Sequence, residues 1–220
     1  MPASITRSPY LWLRRTALMF EYARPVYERR MVRHWWQRGR PVPPPHDVKM
    51  QAILYLADRI DASALVETGT YRGDTVRALR NRFSKLVSIE LVPELARQVQ
   101  REFSNDPSVS ILVGDSGDML RELLLELKDP ALFWLDAHYS GGPTLGDGNV
   151  PIYAEIDSIN ELANARHALL IDDMHEFTGE NGYPTQAALI RKCVDDGYEV
   201  AVFNNMLHAV SRAAASQMAG

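Results

Sequence analysis

From residue 46 onward, short apolar runs alternate with stretches whose apolar residues recur every three or four positions. The runs 64–68, 86–90, 109–113, 131–135 and 168–171 are too short for helices, and each predicts a buried strand. Between them the helical period predicts helices over 46–60, 74–82, from Pro93 through Phe103, over 117–127, 151–164 and 184–196. Pro93 and Pro184 stand at helix starts, where a missing N–H costs nothing, and Gly197 stops the last of these helices. Residues 199–203 and 207–211 alternate around Asn204-Asn205 and predict a hairpin that adds an antiparallel edge. Strands alternating with helices across short connections predict an α/β domain, a parallel sheet covered on both faces.

Residues 1–45 follow different rules. Residues 8–38 read as helical, with Pro25 breaking or restarting the helix, and Arg40-Pro-Val-Pro-Pro-Pro45 reads as a stiff linker. The chain therefore divides into a basic helical arm with its linker, 1–45, and a main domain, 46–220. The arm is expected to pack on the domain or on a second copy of the chain; a lid or a membrane-touching surface are the other readings.

Charge sharpens this division. The arm holds nine Arg against Glu21 and Glu28, a balance of +7, which leaves the rest of a chain of net charge −4 at −11. So acidic a body argues against nucleic acid as a partner. No apolar run is long enough to span a membrane, and Arg14-Arg15 interrupts what would be a signal core, so a cytoplasmic location is expected. The single cysteine, Cys193, falls among Leu189, Ile190 and Val194, and reads as a packed thiol.

Candidate chemistry collects at the strand ends. Glu67, Glu90, Asp115, Asp136 and the pair Asp172-Asp173 each lie at or just after the end of one of five successive strands. In an open α/β sheet those ends meet in one crevice where ligands bind. One such acid is explained by helix capping; five in a row are not. After the first strand comes Gly69-x-Tyr71-x-Gly73, a tight turn into a helix. A dinucleotide loop would read G-x-G-x-x-G, and here Tyr71 stands where the middle glycine belongs, so a nicotinamide dehydrogenase is disfavoured. Glu67 would repel a pyrophosphate and suits an ammonium. Glu90 is placed to accept a ribose hydroxyl pair, and Asp115-Ser116 an adenine edge, with helix capping an equal explanation for the latter. Asp136, Asp172 and Asp173 offer three hard oxygens suited to Mg²⁺ or a similar ion. His138 is the favoured general base and His175 the second candidate.

Taken in order, Glu67-x-Gly69-x-Tyr71-x-Gly73-x-Thr75, Ser88-Ile89-Glu90, Val113-Gly114-Asp115-Ser116, Leu135-Asp136 and Leu170-Ile171-Asp172-Asp173 resemble the class I S-adenosylmethionine (SAM)-dependent methyltransferases. The resemblance is strongest to the divalent-metal-dependent small-molecule O-methyltransferases of the catechol and natural-product sugar types, and it spans residues 46–211. It implies a Rossmann-like seven-stranded sheet with an antiparallel last strand. It further implies that Glu67, Gly69, Tyr71 and Gly73 hold the methionine part, Glu90 the ribose, and Asp115 and Ser116 the adenine. Asp136 would serve cofactor and metal alike, completing the metal set with Asp172 and Asp173. The catechol-type lysine base is missing, since the fourth strand is followed by Asp136-Ala137-His138-Tyr139, and Asp173 stands where Asn is common. The expected function is metal-assisted O-methylation of a small or mid-sized hydroxylated acceptor, with His138 taking the proton and 140–149 as a lid. Two alternatives stand beside it: a metal-independent transferase using His138 alone, and a non-catalytic cofactor-binding module docking a partner through its arm.

Overall fold

The computed structural model describes residues 29–127, 130–136, 151–161 and 166–218. A helix over 29–37, α1, is the described part of the N-terminal arm. The main domain follows as α2 (His46–Ile60), β1 (Ala64–Thr68), α3 (Asp74–Leu79), β2 (Lys85–Glu90), α4 (Pro93–Glu102), β3 (Val109–Val113), α5 (Ser116–Glu126) and β4 (Ala131–Leu135). Then come α6 (Ile152–Asn160), β5 (His167–Ile171), a 3-10 turn (Met174–Glu176), α7 (Gln186–Asp195), β6 (Tyr198–Phe203), β7 (Met206–Ser211) and α8 (Arg212–Met218).

The seven strands form one sheet in the order β3-β2-β1-β4-β5-β7-β6. β1 pairs in parallel with both β2 and β4, and every residue of β1, β4 and β5 is buried. Strands covered on both faces need continuous apolar sequence, which is why these runs show no alternation. On one face Leu65, Leu132 and Leu170 pack with Ile53 of α2, Val76 of α3 and Val99 of α4. On the other, Val66, Phe133 and Leu169 pack with Leu120 of α5, Ile156 of α6 and Leu189 of α7. The chain thus changes faces between its two halves, and the crevice opens where strand order reverses, between β1 and β4. Cys193 lies fully buried in the second of these layers, its thiol pushed up to about 12 by burial and by Asp196.

The closing hairpin forms at the edge of the sheet with the last strand antiparallel, as expected. β7 is antiparallel to both neighbours and lies inside the sheet, and β6 forms the edge. The crossover through α7 lands β6 one strand beyond β5, and the two-residue turn returns β7 into the gap. That turn needs positive φ at both central positions, and Asn204 and Asn205 supply φ of 50° and 65°. Three details depart from the sequence reading. The helix after the glycine turn ends at Leu79, α7 starts at Gln186 behind a Thr185 cap, and α8 closes the chain.

Candidate functional site

Burial creates the first feature of the crevice. Glu67 is 2% exposed near the end of β1. The Ser88 hydroxyl of β2 donates to its Oε2, which leaves Thr70 as the donor to Ser88, 2.6 Å away. Desolvation dominates these hydrogen bonds and pushes the Glu67 carboxyl up from 4.5 to about 8. A neutral acid at rest is the natural partner of an arriving ammonium, which would restore its charge.

The turn after β1 is built for close approach. Gly69, Tyr71 and Gly73 all adopt positive φ, at 89°, 46° and 74°. Tyr71 therefore takes a backbone conformation that glycine adopts freely, with Arg72 stacked 5.2 Å from its ring. Glu90 holds this conformation: its Oε2 accepts the Tyr71 N–H at 2.7 Å and its Oε1 the Val92 N–H at 2.9 Å. The acid predicted to meet a ribose thus also braces the glycine turn, and its two oxygens retain lone pairs for a hydroxyl pair.

The second feature is the acid cluster beside it. One oxygen from each of Asp136, Asp172 and Asp173 lies within 4.8 Å of the others. An octahedral Mg²⁺ with oxygens at about 2.1 Å sets them at most about 4.2 Å apart, so small side-chain rotations complete such a set. Asp172 is fully buried, and its Oδ1 has no hydrogen-bond partner among the described residues. A buried carboxylate oxygen left bare is costly, and three hard oxygen donors fit a divalent cation. The other oxygen, Oδ2, is engaged by Lys49 of α2, whose Nζ also lies 3.7 Å from Asp173 Oδ1. Burial, then the charge of Asp136, push Asp172 up to about 7 against this attraction. Burial opposes charge on Lys49 as well, but attraction to Asp172 and Asp136 outweighs it and its pKa rises.

A third feature shapes the loop after β5. Asp173 has φ of 49°, and the β6–β7 turn reaches over to hold it. Asn205 Oδ1 accepts the His175 N–H, which turns its amide nitrogen toward Asp173 Oδ1 at 3.2 Å and His175 Nδ1 at 2.9 Å. His175 Nδ1 must then accept, placing its proton on Nε2, 3.3 Å from Glu176 Oε1. In this arrangement His175 is a latch, with its free lone pair already used.

Asp115 caps α5 by accepting the Gly117 N–H at 2.8 Å and is exposed. The Ser116 hydroxyl turns inward to Glu155. His138 and the segment 140–149 lie outside the described residues, as does the arm before residue 29. A groove of about 620 Å³ between α1, α2 and α3, lined by Arg29, Arg33, Met50, Leu54 and Arg77, contains none of the candidate residues. Lys49 and Asn205 escaped the sequence reading. Lys49 sits among the helical residues of α2, between buried Val48 and Met50, and the packing of α2 across β4 and β5 carries it to the acids.

No family model and no curated protein matches the chain in sequence. Solved structures do match in fold. An O-methyltransferase from Bacillus cereus in complex with SAH shares 13% identity, covers 89% of this chain and 97% of its own, and has a TM-score of 0.57. The O-methyltransferase TomG from Streptomyces achromogenes, involved in tomaymycin synthesis and bound to SAM, shares 15% over 83% of this chain and 88% of its own at 0.56. SAH-bound methyltransferase PaMTH1 from Podospora anserina shares 14% over 82% and 86% at 0.53. With its seven strands ordered around β1 and β4, the chain has the fold of the class I SAM-dependent methyltransferases.

Proposed function

We propose that the chain is a SAM-dependent methyltransferase acting on a hydroxyl of a small or mid-sized acceptor, with a divalent cation held by Asp136, Asp172 and Asp173. The observation that carries this reading is the pairing of two buried acids, Glu67 and Glu90, around a positive-φ turn, with the carboxylate cluster at the next strands. Glu67 takes the methionine ammonium, and the Gly69–Tyr71–Gly73 backbone lies against the same end of the cofactor. Glu90 accepts the ribose hydroxyls while it keeps the Tyr71 N–H in place. Asp115 faces the adenine edge through its exposed carboxylate or the turn that carries it, and Ser116 contributes through its backbone.

A bound divalent cation would supply Lewis acidity to the acceptor hydroxyl, lowering its pKa and fixing its direction. His138, two residues beyond Asp136, takes the hydroxyl proton. Methyl transfer from the sulfonium to the acceptor oxygen breaks the S–C bond as the O–C bond forms and leaves a neutral thioether, a loss of charge favoured in a water-poor crevice, so the chain's main task is alignment. The acidic body supports an acceptor other than nucleic acid, and a cytoplasmic location and self-association through the basic arm belong to the same proposal. Among the described residues, no helix is long and apolar enough to cross a membrane.

Calorimetric titration with SAM, with and without Mg²⁺, tests the assignment. Micromolar SAM binding that survives Asp136→Ala, together with loss of Mg²⁺ binding in that variant, is the expected result. Absence of SAM binding in both conditions refutes the transferase. A second reading, a metal-independent transferase, is favoured by the Lys49 ammonium already present in the cluster. Full turnover in excess chelator would select it.

A further inference from the structure

Among the described residues, Lys49 has the most unusual surroundings. Its side chain is 15% exposed and meets Asp172, which is fully buried, and Asp173, which is 24% exposed. It reaches them from α2, 123 positions away in sequence. A metal ion bound at about 2.1 Å from the same carboxylates would lie within about 5 Å of the ammonium. A tethered +1 and a free +2 charge in so small a space repel each other, and Lys49 already occupies Asp172 Oδ2, leaving buried Oδ1 without a partner among the described residues.

We propose that Lys49 is a tethered counter-cation that a divalent ion must displace from Asp172 and Asp173, so that metal occupancy and release of Lys49 are one event. The inference rests on the metal reading above. Lys49 keeps three carboxylates together when the ion is absent, and its release hands Asp172 Oδ2 to the metal. The Lys49 side chain is already partly in contact with solvent, into which the freed ammonium can turn. The consequence is a threshold: the site stays metal-free until the ion concentration is high enough to outcompete its own lysine. It is also selective, since a monovalent ion offers no more charge than the ammonium it would replace.

The test uses the full-length protein and Mn²⁺ or Mg²⁺ alone. The chain has only four lysines, Lys49, Lys85, Lys128 and Lys192, so amine acetylation followed by peptide mass spectrometry reads each of them separately. Saturating metal should raise the acetylation rate of Lys49 at least fivefold while leaving Lys85 unchanged. Mn²⁺ binding followed by electron paramagnetic resonance should be at least tenfold tighter in Lys49→Met, with SAM binding retained as the control for folding. Should Lys49→Met not fold, the acetylation arm on the unaltered protein decides alone. Metal binding with unchanged Lys49 reactivity overturns the displacement and leaves the metal site standing. No metal binding in either protein removes both.

Discussion

Replacing Glu67 by Gln isolates the effect of one buried carboxyl. In the folded chain this group sits at about 8, against an ordinary 4.5, because burial penalises its charged form. The sign follows from the raised value. Between those two pH values the folded state holds a proton that the unfolded chain has lost. The group's contribution to stability is therefore full below about pH 4.5 and is lost as pH rises to about 8. Each pH unit inside that window costs about 1.4 kcal/mol, so Glu67 costs about 3 kcal/mol at pH 7 and about 5 kcal/mol above pH 9. Gln has the same shape and no charge to bury, and its carbonyl can still accept from Ser88. Urea unfolding of the two cofactor-free proteins at pH 5, 7 and 9 measures the difference. It should be below about 1 kcal/mol at pH 5 and grow in favour of Gln at each higher pH, while SAM affinity falls at least tenfold. A difference in stability that stays constant with pH would refute the burial argument.

Two other perturbations test the frame around the crevice. Gly73→Ala places a Cβ 2.8 Å from Val99 Cγ1 at a φ of +74°, and should cost about 1–3 kcal/mol by thermal unfolding while weakening SAM binding. Asn205→Ala removes the hydrogen bonds that tie the β6–β7 turn to Asp173 and His175. It should cost about 1–3 kcal/mol by urea unfolding and lower metal affinity, because Asp173 loses the group that orients it.

Much of this was legible in the chain. Short runs bounded by Gly, Pro and acids marked all seven strands to within a residue at either end, because strands buried on both faces admit little but apolar side chains. The positions of Glu67, Glu90, Asp136 and Asp172 followed from the rule that parallel strands present their C-terminal ends together. What the pattern could not carry was long-range placement. A lysine in an amphipathic helix reads as surface, and Lys49 becomes a site residue only because α2 packs across β4 and β5. An Asn-Asn turn reads as a hairpin tip, and only the insertion of β7 beside β5 brings Asn205 to Asp173. Periodicity reports which face of an element is buried; it does not report which distant side chain that face meets.

The two halves of the crevice meet one physical problem in two ways. Glu67, Glu90, Asp136, Asp172 and Asp173 would repel one another if all were charged and unpartnered. Glu67 is neutralised by a proton, and Asp172 by the Lys49 ammonium. Each resident counter-charge is one that a positively charged ligand can replace: an ammonium in place of the proton, a divalent ion in place of the lysine. The halves also communicate, because the charge of Asp136 raises the pKa of both Glu67 and Asp172. A cation that screens Asp136 therefore eases ionisation of Glu67, the form that would hold the ammonium of the proposed cofactor. Linkage is reciprocal, so the cofactor must strengthen the metal by the same factor. In the SAM titrations with and without Mg²⁺, this coupling reads as tighter SAM binding when the metal is present, and the gain should shrink in Glu67→Gln, where no charge remains to be restored.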